Sequence, residues 1–278
     1  MNKSDIIRIT GEYGLAPNKK LGQNFLVDEN VIKKIVDSCE PEHKHILEIG
    51  PGLGAISRGL SERGASYTAV EIDAGFARFL SDTFSGKENT SIIHADFLKS
   101  EIEDRFNLIV SNLPYYCASE ILFRIAGRFS KAARVFGMMQ KEMGDRITAR
   151  PGSGSYGALT VMLSYYFSAK VLFHVSGEAF YPRPDVKSSF LEFVRKKKYF
   201  SSFAEEEMLR LIVRSSFWGR RKTLLKSLSE SPHLDLGKDF IHSAITECGI
   251  DPDVRGERLS PEEFVKLTEA IIKLKTEL

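Results

Sequence analysis

Asn112, Leu113, Pro114 and Tyr115 are the residues of this chain whose types and order suggest chemistry on a nucleobase. The exocyclic amine of adenine is a poor nucleophile because its lone pair is delocalised into the ring, so a site that transfers a group to it must orient it. The Asn112 side-chain oxygen and the Leu113 carbonyl can accept its two N–H bonds. Pro114 fixes the turn, and Tyr115 offers a flat face for stacking, worth about 1–3 kcal/mol per base. The alternative is a turn-forming asparagine after a strand, which is commoner in proteins generally.

A glycine-rich turn lies upstream, where Gly50, Gly52 and Gly54 follow a short apolar run. Such a strand–turn–helix binds nucleotides because glycines let the backbone approach the ligand. The spacing alone also satisfies the dinucleotide fingerprint, and a plain turn between a core strand and a helix would look similar. Glu48 before the first glycine, the third glycine at position 54, and the asparagine motif downstream favour S-adenosyl-L-methionine as the ligand.

Acidic residues end two further strand candidates. Glu71 lies about twenty residues beyond the first glycine, where βαβ geometry places a carboxylate against ribose hydroxyls. Asp96 can accept a hydrogen bond from an adenine amino group, and Phe97 beside it can cover the ring. Because the carboxyl ends of parallel strands meet at one edge of a sheet, the sequence predicts a site along that edge. A surface glutamate is the alternative for Glu71.

The order of elements predicts an α/β fold. Strand and helix patterns alternate through the first half of the chain, and the strands expected at 170–175 and 188–194 should form an antiparallel pair at the sheet edge. The glycine-rich segment 150–157 is expected to be an exposed, mobile loop. We therefore predict a Rossmann-like S-adenosylmethionine-dependent methyltransferase domain over residues 1–198.

The pattern changes after a basic run at 195–198, beyond which every candidate element has a helical period. Ser202 with Glu205 and Ser260 with Glu263 have the spacing of capping boxes that open helices. These features predict a small all-helical domain over residues 199–278.

Composition limits the possible classes. The 278 residues carry a formal net charge of only +2, so any face that binds a polyanion must come from local clustering. The three cysteines are scattered, which argues against a disulfide framework or a cysteine zinc site. His43 and His45 are expected in a solvated loop, and no metal is expected. The chain has neither a signal-peptide core nor a run of about 18 apolar residues, so we expect a soluble cytoplasmic protein.

Taken together, the motifs resemble those of the ribosomal RNA adenine N6-dimethyltransferase family, most closely its small-subunit branch. The resemblance extends over nearly the whole chain and rests on the following segments: Leu21–Leu26, Glu48–Gly54, Glu71, Asp96, Asn112–Tyr115, Tyr156–Gly157, Phe180–Ser188, Phe217–Leu224 and Arg255–Phe264. It implies S-adenosyl-L-methionine as cofactor. It also implies dimethylation of two adjacent adenosines in the 3′-terminal hairpin loop of small-subunit rRNA, within a pre-assembled small subunit, by a monomer.

The resemblance also implies roles for individual residues. In the cofactor pocket, Asn24 and Leu26 would form part of the lining, Gly50 and Gly52 would contact the methionine part, Glu71 the ribose and Asp96 the adenine, with Asn112 at the border. In the target site, Asn112 and the Leu113 carbonyl would hold the amine, and Tyr115 and Phe180 would enclose the target base.

Three alternatives remain open from the sequence. A large-subunit rRNA adenine methyltransferase of the macrolide-resistance type would share the pocket, but the segments 180–184 and 220–224 favour the small-subunit type. A nucleotide-dependent dehydrogenase would leave Asn112–Tyr115 unexplained. A non-catalytic assembly or transcription factor with the same fold is the third, and an intact Asn112 motif argues against it.

Basic residues cluster at Lys19–Lys20, Arg195–Lys198 and Arg220–Lys222. Most charge runs are solvated surface, but an RNA substrate makes phosphate contacts plausible here. The alternative for Arg220 and Arg221 is structural pairing with acids such as Glu205 or Glu206.

Overall fold

The computed structural model describes residues 3–15, 24–114, 116–197, 199–219 and 221–277. Contacts divide this part of the chain into two compact units. One contains the residues up to Gly144 together with Ser168–Arg195, and the other contains Asp145–Phe167 and the residues from Lys196 onward. Residues 145–167, which the sequence analysis placed in the first domain, thus group with the helical unit.

A mixed sheet organises the first unit. The strands of the described chain are β1 (Phe25–Leu26), β2 (His45–Ile49), β3 (Ser66–Glu71), β4 (Thr90–His94), β5 (Leu108–Asn112), β6 (Arg134–Gln140), β7 (Phe167–Val175), β8 (Phe180–Tyr181) and β9 (Ser188–Arg195). In the described residues seven of them form one sheet in the order β4-β3-β2-β5-β6-β9-β7. The strands from β4 to β6 are parallel, and β9 is antiparallel to β6. The predicted late strands therefore do lie side by side at the edge.

The register brings the strand ends level. Ile49 of β2 lies opposite Val70 of β3 and Ser111 of β5. From β2 the chain continues through β3 and β4 on one side of it and then returns to β5 and β6 on the other side. Such a reversal of strand order is the switch point where α/β sheets bind ligands. All four residues Ile46–Ile49 are buried, as expected of a central parallel strand covered on both faces.

Helices cover the sheet of the first unit: α1 (Lys3–Glu12), α2 (Glu29–Cys39), α3 (Ser57–Arg63), α4 (Ala74–Thr83), α5 (Ala118–Arg128) and α6 (Lys141–Ile147), the last of which crosses into the second unit. Asp28 caps α2, since its side chain accepts hydrogen bonds from the backbone N–H groups of Asn30 and Val31. Asp73 caps α4 in the same way, by accepting hydrogen bonds from the N–H groups of Gly75 and Phe76. Ile6 and Ile9 of α1 are buried in a cluster with Phe25, Leu53 and Phe76, so α1 packs behind the glycine turn.

His45 corrects one expectation. It begins β2 instead of lying in a loop, and its Nδ1 is 2.8 Å from the Ser66 hydroxyl at the start of β3. The backbone N–H of His45 donates to the Asn107 side chain.

The second unit is helical, with α7 (Ala158–Tyr166), α8 (Phe203–Trp218), α9 (Leu224–Ser229), α10 (Lys238–Glu247) and α11 (Pro261–Thr276). Both predicted capping boxes are present, at Ser202 with Glu205 and at Ser260 with Glu263. Most of the segment 150–157 is exposed as expected, but two of its residues are hydrogen-bonded to the chain that leads into α11. The Gly152 N–H donates to the Glu257 carbonyl, and the buried Tyr156 hydroxyl donates to the Leu259 carbonyl. These bonds explain why 145–167 groups with the helices.

Within the described residues, no helix has the length and apolar character needed to cross a membrane.

Candidate active site

A cleft opens at the carboxyl ends of β2, β3 and β5. It is lined by six of the residues that the sequence analysis assigned to the site, namely Asn24, Leu26, Gly50, Gly52, Glu71 and Asn112. They come from the ends of three strands and from β1 with the residue before it. The sheet order thus brings together residues as far apart in sequence as Asn24 and Asn112, which are 88 positions apart.

The glycine turn between β2 and α3 forms the floor of the cleft. Gly50, Gly52 and Gly54 all have positive φ angles, of 66°, 58° and 76°, a backbone region that other residues rarely adopt. At Gly54 a Cβ atom would lie 2.8 Å from the Leu80 Cδ2 atom, which is too close. At Gly50, by contrast, a Cβ would meet no protein atom within 4 Å, so the absent side chain leaves open space at a residue that lines the cleft.

Glu71 ties the end of β3 to this turn. Its Oε2 accepts a hydrogen bond from the Gly52 N–H at 2.9 Å, and its Oε1 accepts one from the Asp73 N–H at 2.9 Å. Only 3% of the residue is exposed. Burial raises the pKa of Glu71, while the backbone donors act in the opposite direction. Because each oxygen has further lone pairs, the carboxylate can also accept hydroxyl groups of a ligand.

Glu48 is a second buried acid in the cleft wall. The Ser57 hydroxyl donates to its Oε2 at 2.8 Å, and the Tyr67 hydroxyl donates to the same oxygen at 2.6 Å. Burial raises the pKa of Glu48 to about 7, against the effect of the two hydroxyl donors, and the charge of Glu71 raises it further. The sequence analysis used Glu48 only as part of the glycine motif and gave it no role of its own.

Asn112 ends β5 in the same cleft. Its Nδ2 donates to the Asn24 carbonyl at 3.4 Å, an orientation that leaves Oδ1 as an acceptor. Next to it, Ser111 donates its hydroxyl to the Ile49 carbonyl, and the Leu113 N–H donates to the Met138 carbonyl. These bonds hold the chain on both sides of Asn112 to neighbouring strands. Leu113 is buried and is not among the described residues that line the cleft, so the use of its carbonyl as an acceptor stays a prediction.

Asp96 and Phe97 are not among the described residues that line the cleft. Asp96 lies two residues beyond the end of β4, directly after Ala95, whose N–H donates to the Glu71 carbonyl. Phe97 is 5% exposed and its ring stacks on Phe129 with centroids 5.7 Å apart. The ring that was expected to cover the adenine therefore packs in the interior, because the chain turns inward after β4.

Phe180 also packs in the interior. It is 4% exposed, lies opposite Leu26 in the β1–β8 ribbon, and belongs to the main core cluster. As it neighbours a cleft-lining residue, its position supports the cleft wall. Its predicted contact with the target base stays a prediction. Tyr115, the other residue predicted to enclose that base, lies outside the described residues, as do the residues Leu21–Gln23 of the Leu21–Leu26 segment.

Several cleft residues were not predicted as site residues. Phe25, Pro114, Ile72 and Tyr116 all line it. Ile72 and Tyr116 are 46% and 59% exposed, which is unusual for large apolar side chains. Their position in the sequence could have identified them, because each is adjacent to a residue that the sequence analysis assigned to the site.

The basic clusters are partly structural. The Arg195 guanidinium donates to backbone carbonyls at the end of α5, including those of Ile125 and Phe129. The Lys222 ammonium is 2.7 Å from a Glu230 carboxylate oxygen. Glu205 and Glu206 were named as alternative partners for Arg220 and Arg221. Glu205 accepts a hydrogen bond from Ser202, and Glu206 accepts one from the Tyr166 hydroxyl. Lys19, Lys20, Lys198 and Arg220 lie outside the described residues.

The sheet order, the glycine turn and the acid-ended strands define a Rossmann-like methyltransferase. Two solved structures share this fold. A dimethyladenosine transferase from Plasmodium falciparum superposes with a TM-score of 0.78 at 20% identity, covering 87% of this chain and 95% of that one. The 23S rRNA methyltransferase ErmE superposes with a TM-score of 0.67 at 26% identity, covering 90% of this chain and all of that one.

Sequence comparison identifies the family. The profile of the family described as ribosomal RNA adenine dimethylase matches residues 14–273. Among curated relatives, the ribosomal RNA small subunit methyltransferase A of Bacillus cytotoxicus is 37% identical over 275 residues, which cover 95% of this chain and 94% of that protein. The protein of the same name from Anoxybacillus flavithermus is 36% identical over 274 residues. The chain belongs to the ribosomal RNA adenine dimethylase family, and the resemblance and the fold class predicted from the sequence are confirmed.

Proposed function

We propose that this enzyme transfers methyl groups from S-adenosyl-L-methionine to the N6 amines of two adjacent adenosines in the 3′-terminal hairpin loop of small-subunit rRNA. The substrate is the rRNA within a pre-assembled small subunit, and the enzyme acts as a cytoplasmic monomer. The observation that carries the reaction is the position of Asn112, which shares one cleft with the glycine turn and Glu71.

The residues of the cleft fit the cofactor. The open space beside Gly50 lets a ligand approach the backbone, and the buried Glu71 carboxylate suits a pair of ribose hydroxyls. Asn24 and Leu26 form the wall opposite, and Asp96 at the end of β4 accepts from the adenine amino group. S-adenosylmethionine, when bound, supplies an electrophilic methyl group on a sulfonium.

The chemistry required of the protein is mainly orientation. The Asn112 Oδ1 and the Leu113 carbonyl accept the two N–H bonds of the target amine, which favours its pyramidal, nucleophilic form. Because attack precedes loss of the proton, no strong general base is needed, and most of the rate can come from holding the reacting atoms in line. Tyr115 and Phe180 enclose the target base in this proposal, which offsets part of the few kcal/mol needed to unstack it.

The small-subunit substrate is supported by the relatives at 36–37% identity, which are small subunit methyltransferases. The large-subunit alternative has a specific observation in its favour, since ErmE, a 23S rRNA methyltransferase, covers 90% of this chain in structure. Its identity of 26% is lower, and so we favour the small subunit.

Radiolabelled S-adenosylmethionine tests the proposal when supplied with undermethylated small subunits, large subunits and free rRNA in parallel. We expect label on small-subunit adenosines as N6,N6-dimethyladenosine. Label on large-subunit RNA alone would reassign the substrate. Absence of label on all three, with cofactor still bound, would favour a non-catalytic assembly factor.

A further inference from the structure

Tyr116 is a large aromatic side chain exposed at a concave site. Its ring lines the cleft together with Ile72, and the two residues are 59% and 46% exposed. Among large hydrophobic side chains of the described residues, few are exposed to this extent. Apolar surface left open within a cleft indicates contact with a ligand that also has apolar faces.

Tyr116 follows β5 in the chain but shares the cleft with Ile72, which follows β3. In the sheet, β2 and β3 lie between β5 and β4. The Tyr116 hydroxyl and the Cys117 thiol are hydrogen-bonded to each other, and burial raises the pKa of both groups, with a smaller contribution in the same direction from the charge of Asp96. Asp96 is thus near the tyrosine, although it follows β4 and Tyr116 follows β5.

We propose that the Tyr116 ring covers the adenine base of the bound S-adenosylmethionine, opposite Ile72 and with Asp96 at the edge of the base. This inference rests on the proposed function and adds a cofactor-selecting residue to it. A nucleoside held this way has an aromatic ring on one face and an aliphatic side chain on the other.

The residues around Tyr116 assign it to the base of the cofactor and not to the target base. The acceptors for the target amine, Asn112 and Leu113, are at the end of β5. Ile72 directly follows Glu71, the acid assigned to the ribose, and Asp96 directly follows Ala95, whose N–H donates to the Glu71 carbonyl. Tyr116 adjoins this second group. Phe97, which the sequence favoured as the cover, is buried against Phe129, so the described residues leave Tyr116 as the aromatic side chain open to the cleft at this end.

Binding measured without RNA tests the inference. S-adenosylhomocysteine and 5′-methylthioadenosine share the adenosine, but the second lacks the amino acid group. By calorimetry we expect Tyr116→Ala to weaken both ligands by roughly tenfold, within the range known for base–aromatic stacking. Tyr116→Phe keeps the ring and should stay within about twofold of the wild type. Tyr199→Ala is the matched control, since Tyr199 is 53% exposed and belongs to the helical unit.

The outcomes separate the two levels of the proposal. Wild-type affinity for both ligands in Tyr116→Ala overturns the inference, and a loss of transfer to RNA with that affinity intact would reassign the ring to the target base. Weak binding in a Tyr116→Phe variant that unfolds like the wild type overturns it too, because the ring is retained. A wild-type protein that binds neither ligand overturns the proposed function and this inference together.

Discussion

Replacing Glu48 with glutamine removes a buried acid whose ionisation opposes folding. The carboxyl group is 2% exposed and accepts the Ser57 and Tyr67 hydroxyls on one oxygen. Glutamine is close in shape, and its side-chain oxygen can accept from the same two hydroxyls. The substitution therefore changes the titration of the site more than its packing.

The magnitude follows from the pKa. Burial raises the pKa of Glu48 from 4.5 to about 7. At 1.36 kcal/mol per pKa unit this corresponds to about 3 kcal/mol of stability. The folded protein binds the proton more tightly than the unfolded chain, so this stability is fully present below pH 4.5 and is lost as the pH rises through 7. Between pH 5 and pH 8 the loss is about 2.5 kcal/mol.

Urea unfolding at pH 5, 6, 7 and 8 measures the effect. We expect the free energy of unfolding of Glu48→Gln, relative to that of the wild type, to increase by about 2.5 kcal/mol from pH 5 to pH 8. Glu88→Gln, which removes an acid at an exposed position, should run parallel to the wild type. Parallel curves for Glu48→Gln would refute the reasoning, since they would mean that Glu48 is ionised in the folded protein throughout.

The remaining predictions concern transfer, the glycine turn and RNA contact. Asn112→Ala should keep S-adenosylhomocysteine affinity and lose methyl transfer to small subunits, and loss of both would mean that Asn112 supports the fold or the cofactor instead. Gly54→Ala should cost about 1–3 kcal/mol in urea unfolding because its φ is +76° and a Cβ would strike α4, whereas Gly11→Ala, where a Cβ meets no described atom within 4 Å, should not destabilise. Arg221→Ala should weaken subunit binding and lower its salt slope by about one, more than substitution of Lys222, which is paired with an acid. An unchanged salt slope for Arg221→Ala would remove it from the RNA-binding surface.

Local signals in the sequence were sufficient for the elements and for much of the cleft. The predicted strand at 188–194 coincides with all but the last residue of β9, and the caps at Ser202 and Ser260 lie where the residue types placed them. Six predicted residues share the cleft because each follows a parallel strand or leads into the sheet, and parallel strands end at one edge whatever their order.

The errors have a common physical cause, which is that a side chain's neighbours depend on contacts distant in sequence. Phe97 follows a strand end just as Glu71 does, yet the first packs on Phe129 and the second accepts the Gly52 N–H. Arg195 opens a basic run, but carbonyls at the end of α5 bind its guanidinium. Glu48 shows the same dependence with chemical consequences. Its motif is local, but its raised pKa arises from burial beside Tyr67, a residue of the next strand. Residue types and spacing thus predict which groups reach the cleft. The pKa and the solvent exposure of those groups depend on the residues that pack around them in the folded sheet.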